Sequence, residues 1–138
     1  MKFRTIDNPV SKLGKSGFNQ ILVESFEFEL DNIEMSIPKG FESDRASVPR
    51  IFWNLIPPLG KYSIAALIHD YFYRTHRIKG WMLAVGKKEW VDAPITKDFA
   101  DTAFLSIMKH YNVKAWRRNV MYWAVKYFGS KSWEAHSK

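Results

Sequence analysis

One stretch organises this chain: Ile64-Ala65-Ala66-Leu67-Ile68-His69-Asp70-Tyr71-Phe72-Tyr73-Arg74-Thr75-His76, where an apolar run meets ionisable and hydroxyl groups. Its spacing predicts a helix, because His69, Tyr73 and His76 recur on one face of a 3.6-residue period. Asp70 lies about 100° away from His69 on that helix. Burying a carboxylate or an imidazole alone is unfavourable by several kcal/mol. We therefore expect this helix to find polar partners elsewhere in the chain.

Length and composition indicate a single domain. The chain has 138 residues, of which 46% are apolar and 16% aromatic, enough to build one core. It has no cysteine, which excludes disulfides and thiolate zinc sites. The first residues lack the apolar segment of a secretory signal, and the longest charge-free apolar run, 51–60, is too short to span a bilayer. We therefore expect a protein made in the cytoplasm, with no signal peptide and no transmembrane segment.

Charge is unevenly distributed along the chain. The net charge is +7, and the segment 102–133 contains no acidic residue. That segment carries six cations, namely Lys109, Lys114, Arg117, Arg118, Lys126 and Lys131. Such a distribution suits an anionic partner, although a solvated basic face that aids solubility is an equally frequent outcome.

The patterning predicts an α+β fold, with an N-terminal antiparallel β-hairpin or small sheet packed on a C-terminal bundle of about three helices. Apolar and polar residues alternate strictly over 26–30 and 33–37, as in strands with one solvated face. Asp31-Asn32 between them predicts a two-residue hairpin turn. The full division, as one domain over 1–138, is a β-rich region over 1–43, a motif loop 44–60, a helix 61–77, an insert 78–95, helices over 96–128 and a tail 129–138.

Two further helices follow the insert. The first is expected over about 97–111, with Thr96 as its N-cap. The second is expected over about 113–128, with Gly129 as its C-terminal stop. Its aromatic side and its basic side are distinct: Trp116, Val120, Trp123, Ala124 and Tyr127 share one, and Arg117, Arg118 and Lys126 lie towards the other.

The insert contains two tryptophans, Trp81 and Trp90, in a segment that suggests a second hairpin. If exposed, they form a contact surface for another molecule. Packing against the body of the domain is the commoner fate of tryptophan, and we expect it for these two. Trp81 and Trp90 are still candidate interface residues, together with Trp116, Arg117, Arg118 and Lys126.

Four polar residues are expected to meet between the first two helices: His69, Asp70, Tyr73 and Asp101. Packed helices lie about 8–10 Å apart, which puts Asp101 within hydrogen-bonding reach of His69. An imidazole held by a carboxylate has a fixed tautomer, as a general base that activates water requires. Asp70 would then be available for a hard cation such as calcium, and Asp44 of the motif loop is a second candidate ligand. The alternative is a buried network that only ties the helices together.

The same residues carry a resemblance to a known family. The motif residues are Gly40, Phe41, Asp44, Ala46, Ser47, Val48, Pro49, Arg50, Pro58, Gly60, Tyr62, His69, Asp70, Tyr71, Tyr73, Arg74, Ala100, Asp101, Phe104 and Met108. Together they resemble a small phage and prophage family of unassigned function, domain of unknown function number 1353. This resemblance implies a bacteriophage or prophage origin, hence synthesis in the host cytoplasm and, for a virion protein, association with the particle.

A second resemblance concerns mechanism. His-Asp-x-x-Tyr on one helix and Ala-Asp-x-x-Phe on the next are similar to the paired helices of the phospholipase A-two superfamily. That resemblance implies His69 as the water-activating base, Asp70 as a calcium ligand, and Tyr73 and Asp101 as supports of the histidine. The glycine-rich calcium loop of that superfamily has no counterpart before His69.

Three functions follow. The favoured one is a virion protein of the head, neck or tail, structural or accessory, that binds other phage structural proteins and keeps a buried His-Asp-Tyr-Asp network. The alternative is a calcium-assisted, phospholipase-like ester hydrolase with its Trp-rich basic helix at lipid headgroups. The third is a nucleic-acid binder that uses the acid-free C-terminal segment.

Overall fold

The computed structural model describes residues 2–5, 11–13, 20–43 and 61–135. The motif loop expected over 44–60, with Asp44, lies outside the described residues. The strands are β1 (Phe3–Thr5), β2 (Ser11–Leu13), β3 (Gln20–Leu22), β4 (Phe26–Leu30), β5 (Ile33–Ile37), β6 (Glu42–Ser43), β7 (Arg77–Ala84) and β8 (Lys87–Pro94). The helices are α1 (Lys61–Thr75), α2 (Lys97–His110), α3 (Ala115–Phe128) and α4 (Ser130–Ala135). The predicted α+β class is confirmed.

A five-stranded antiparallel sheet in the order β1-β4-β5-β7-β8 supports the helices, and β2, β3 and β6 form a separate three-stranded sheet. The predicted hairpin is present, and its turn residues Asp31 and Asn32 have φ values of 50° and 67°. Asparagine and aspartate tolerate this left-handed conformation better than most residues, which explains a tight turn without glycine.

The insert is a hairpin that extends the N-terminal sheet. Strand β7 pairs with β5, where Trp81 lies opposite Glu34. Gly80 permits this approach, since a Cβ atom there would collide with the carbonyl oxygen of Glu34. The strands predicted to be N-terminal and the hairpin between α1 and α2 therefore form one sheet.

The core lies between the inner face of this sheet and helices α1 and α2. Alternate residues of β4 and β5 are buried, among them Phe26, Phe28 and Ile37. Phe28 meets Phe72 of α1 edge to face at 6.4 Å between ring centroids. The period-two pattern of the strands thus places the apolar side of the sheet against α1.

Two predicted boundaries are wrong. Helix α1 ends at Thr75 rather than residue 77, because His76 adopts a φ of 55° and starts the passage into β7. The expected tail over 129–138 contains the short helix α4, which is anchored by Trp133 against Tyr73 and His76. The Thr96 N-cap is confirmed, since its side chain accepts a hydrogen bond from the Phe99 amide.

Candidate functional site

The site lies where α1 packs on α2. Helix α1 presents His69 and Tyr73, one turn apart, and α2 presents Asp101. All three side chains are about 1% exposed. Their polar atoms are therefore shielded from bulk water and need hydrogen-bond partners within the protein.

The Asp101 carboxylate is the centre of the site. Its Oδ1 atom lies 2.8 Å from His69 Nε2 and accepts a second hydrogen bond, of 2.6 Å, from the Tyr73 hydroxyl. Its Oδ2 atom accepts a hydrogen bond of 2.8 Å from Lys97 Nζ. An ionised carboxylate can only accept, so Nε2 of His69 carries the proton in this pair. The predicted hydrogen bond between His69 and Asp101 is confirmed.

These contacts keep Asp101 ionised and Tyr73 neutral. Burial raises the pKa of Asp101, but hydrogen bonds from His69, Lys97 and Tyr73 and the attraction of His69 outweigh it, so the pKa lies below its ordinary value. Burial raises the pKa of Tyr73 far above its ordinary value, and the hydrogen bond to Asp101 and the charges of Asp101 and Asp70 add to this effect. At neutral pH the Asp101 carboxylate is therefore ionised and the Tyr73 hydroxyl is neutral.

Aromatic rings surround the imidazole. The His69 ring lies 4.2 Å from the Tyr73 ring and 4.7 Å from the Phe104 ring, centroid to centroid. A Cβ atom added at Gly129 would lie 2.7 Å from the Tyr73 hydroxyl. The absence of a side chain at Gly129 therefore leaves room for the hydroxyl that supports Asp101.

Lys97 is a member of the site that the sequence reasoning missed. Its ammonium group donates to Asp101 and also to the backbone carbonyl oxygens of Val125 and Lys126, at 2.9 and 3.1 Å. These carbonyls belong to the last turn of α3, where a cation is favoured. The spacing of four residues between Lys97 and Asp101 on one helix was a usable signal.

Asp70 is a predicted cation ligand, and that role stays a prediction. Asp70 is 5% exposed, and its Oδ2 atom accepts a hydrogen bond of 2.5 Å from the Ser43 hydroxyl. Ser43, at the end of β6, is a second residue of the site that the sequence reasoning did not name.

The predicted calcium site would use Asp70 and Asp44 as its carboxylate ligands. Calcium takes six to eight oxygen ligands, commonly several carboxylates. Within 2–5, 11–13, 20–43 and 61–135, no three His, Asp or Glu side chains converge as a metal site. Asp44, the other proposed ligand, lies outside the described residues, so calcium binding stays a prediction.

The candidate interface residues lie in two separate places. Trp81 and Trp90 pair across the β7–β8 hairpin, 5.2 Å apart, and keep about half of their surfaces exposed, so the expectation that they pack into the body is wrong. Trp116 and Lys126 are exposed on α3, and Arg117 is half-buried beside them. Arg118 differs, because its guanidinium donates to the Val113 carbonyl oxygen.

Comparison with known proteins places this arrangement in a family. The sequence pattern of the family described as "Protein of unknown function (DUF1353)" matches residues 21–125. The chain belongs to this DUF1353 family. The matched region contains Ser43, His69, Tyr73, Lys97 and Asp101, so the whole network lies within the DUF1353 domain.

One curated relative is the "Uncharacterized protein y4jT" of Sinorhizobium fredii (strain NBRC 101917 / NGR234). It is 30% identical to this chain over 122 residues, which cover 85% of the chain and 30% of the relative. The DUF1353 chain thus spans about a third of the length of that relative. No solved structure shows significant similarity to the chain. No helix in the described part of the chain is long and apolar enough to cross a membrane.

Proposed function

We propose that this DUF1353 chain is a hydrolase in which His69 activates a water molecule for attack on an ester carbonyl. The observation that supports this proposal is the double hydrogen bond to Asp101 Oδ1. The His69 Nε2 atom and the Tyr73 hydroxyl both bind that oxygen, so the carboxylate orients the imidazole through a known nitrogen. This arrangement is the one implied by the resemblance to the phospholipase A-two superfamily.

The chemistry would pass through the other ring nitrogen. With Nε2 protonated and held by Asp101, Nδ1 carries the lone pair of the neutral ring. Nδ1 takes a proton from water as the water oxygen bonds to the carbonyl carbon. The ester C–O bond then breaks, and the alkoxide leaving group takes the proton from Nδ1. Asp101 stays ionised throughout and stabilises the transient imidazolium, and Tyr73 positions the carboxylate.

Hydrolysis of phospholipid and of a small nitrophenyl ester tests this proposal. General-base catalysis contributes about 100- to 10,000-fold, so His69→Ala should lower kcat/KM by at least about 100-fold. His110→Ala is the matched control, because His110 is exposed at the end of α2, away from Asp101. A wild-type protein that hydrolyses neither ester, or a His69→Ala variant with undiminished turnover, contradicts the proposal and supports a network that only ties the helices.

Calcium dependence is measured in the same assay with calcium or a chelator. The pairing of Asp70 with Ser43 leads us to propose that turnover does not depend on the cation. Activity that vanishes on chelation, returns with calcium and is lost in Asp70→Asn would instead assign a calcium ligand to Asp70.

A second candidate function is a bacteriophage virion or accessory protein. The supporting observation is the exposed aromatic surface of α3, since large exposed apolar patches mark interaction surfaces. The test is whether the protein copurifies with particles. Its absence from purified virions would contradict this second function.

A further inference from the structure

Helix α3 has two apolar sides, and the body of the domain covers one of them. Met121, Ala124 and Val125 are buried, and of these Ala124 lies nearest the outer side. The outer side carries an outer stripe of four residues, defined as Trp116, Val120, Trp123 and Tyr127. Trp116 is 54% exposed, and Trp123 and Tyr127 are each 61% exposed. The folded domain therefore leaves this stripe largely uncovered.

The stripe has the spacing of a helix–helix seam. Its members are separated by four, three and four residues, and they form one line along about three turns of α3. A groove of about 480 Å³ lies on this side, lined by the stripe residues from Val120 onward together with Asn119, Ala124 and Phe128. A partner that fills the groove must present apolar atoms.

Cations flank the stripe on both sides. At about 100° per residue, the four stripe residues lie within about 60°, and Lys126 and Arg117 lie about 90° to either side. The Lys126 ammonium lies 5.9 Å from the Tyr127 ring centroid, and the Arg117 guanidinium lies 5.3 Å from the Trp116 ring centroid. The surface complementary to an apolar seam with basic flanks is an apolar seam with acidic flanks.

The charges discriminate among protein occupants. Phe128 is 63% exposed and widens the apolar face beside the groove, so binding to lipid vesicles is one of the outcomes that the test below distinguishes. A second copy of the chain would bring basic flanks against basic flanks, and the segment 102–133 has no acid to pair them. Nucleic acid would place phosphates at cations, but the groove is lined by uncharged side chains.

We propose that the outer stripe of α3 docks an amphipathic helix of a partner protein, about three turns long, with acidic residues beside its apolar seam. Tryptophan and tyrosine are common among residues that dominate binding energy, and helix-in-groove docking uses this spacing of anchors. This surface is separate from His69, so the proposal holds whether or not the network is catalytic.

The test uses two labelled synthetic peptides of about 18 residues, each with leucines at the helical seam positions. One peptide has glutamates on both flanks and the other has lysines. Fluorescence anisotropy should show at least tenfold tighter binding of the glutamate peptide to the wild-type chain. Lack of binding by the glutamate peptide, or equal binding of the two, overturns the proposal.

Variants locate the binding. Trp123→Ala should weaken binding of the glutamate peptide at least tenfold, and Lys126→Glu should narrow the preference between the peptides. Trp90→Ala is the matched control, because Trp90 is 56% exposed but lies on the β7–β8 hairpin. An equal loss in Trp90→Ala contradicts the assignment to α3, and thermal unfolding checks that each variant is folded.

Other occupants give their own signals. Binding is also measured to phosphatidylglycerol–phosphatidylcholine vesicles and to single-stranded DNA. The proposal is overturned if either one binds the wild-type chain more tightly than the glutamate peptide does and loses this binding in Trp123→Ala. Sedimentation measures the oligomeric state. A wild-type dimer that becomes a monomer in Trp123→Ala would also overturn the proposal, because the stripe would then bind a second copy of the chain.

Discussion

The α1–α2 interface and the outer side of α3 invert the usual arrangement of a folded domain. Between α1 and α2, ionisable side chains are buried, and Asp101 accepts hydrogen bonds from three side chains. On α3, two tryptophans and a tyrosine remain exposed. A buried charge persists only if it is paired, whereas an exposed aromatic stripe contributes little to the stability of the free domain. The two regions should therefore respond oppositely to substitution.

The largest effect is expected at Asp101. Asp101→Ala removes the acceptor for His69, Tyr73 and Lys97 together, and breaking a buried pair destabilises by about 3–5 kcal/mol. Urea denaturation measures the loss in free energy of unfolding. Asp98→Ala on the same helix is the control, because Asp98 is exposed and its contribution at the helix N-terminus is no more than about 1 kcal/mol. Equal losses in the two variants would mean that the network does not hold α1 to α2.

Lys97 links the two regions, and its replacement should have the second-largest effect. Lys97→Met keeps the aliphatic stem but leaves one Asp101 oxygen and two α3 carbonyls without this donor. The expected loss is about 1–3 kcal/mol, as for a buried polar group left unsatisfied. A variant as stable as the wild type would show that the ammonium is dispensable and that α3 is held by apolar contacts alone.

The pH dependence of stability should also report on the buried site. The pKa of Asp101 is lower in the folded chain than its ordinary value of 3.8, so its stabilisation is present above that value and is lost as pH falls through the folded pKa. The pKa of Tyr73 is raised above its ordinary value of 10.0, so stability declines above pH 10, where only the unfolded chain ionises.

Thermal unfolding across the pH range measures both the acid loss of stability and the alkaline loss of stability. Tyr73→Phe should reduce the alkaline decline, although Tyr71 and Tyr111, whose pKa values are also raised by burial, retain some of it. A Tyr73→Phe profile identical to that of the wild type would contradict a neutral, buried Tyr73.

The smallest effect on stability is expected at Trp123. Trp123→Ala should change the free energy of unfolding by less than about 0.5 kcal/mol, the usual range for surface substitutions. Trp133→Ala, on α4, should lower the free energy of unfolding by a larger amount, because Trp133 stacks on His76 at 3.6 Å and meets the Tyr73 ring edge to face. A loss at Trp123 as large as that at Trp133 would indicate that the outer stripe supports the fold itself.

Local patterns were sufficient to predict several features of the fold. Strict alternation predicted β4 and β5, and Thr96 and Gly129 marked the start of α2 and the end of α3. The bond between His69 and Asp101 was predictable because two polar residues on apolar helix faces must find partners. Such features are predictable because they depend on neighbouring residues, or on helix faces that the sequence pattern itself marks as buried.

Other features were missed because they depend on distant contacts. The pairing of Ser43 with Asp70 joins β6 to α1, and nothing near Asp70 in sequence indicates it. Helix α4 is short and depends on Trp133 packing on α1, so local propensity did not reveal it. The exposure of Trp81 and Trp90 follows from β7 joining β5, which orients both indoles away from the core.

By itself, the sequence determined the α+β class, the two helices that present His69 and Asp101, and the acid-free basic segment, because periodicity and charge are properties of the chain. Only the tertiary structure decided that Lys97 ties Asp101 to the end of α3 and that Ser43 binds Asp70. It also decided which apolar side of α3 faces the body, since both sides carry apolar residues and only packing against the rest of the domain distinguishes them.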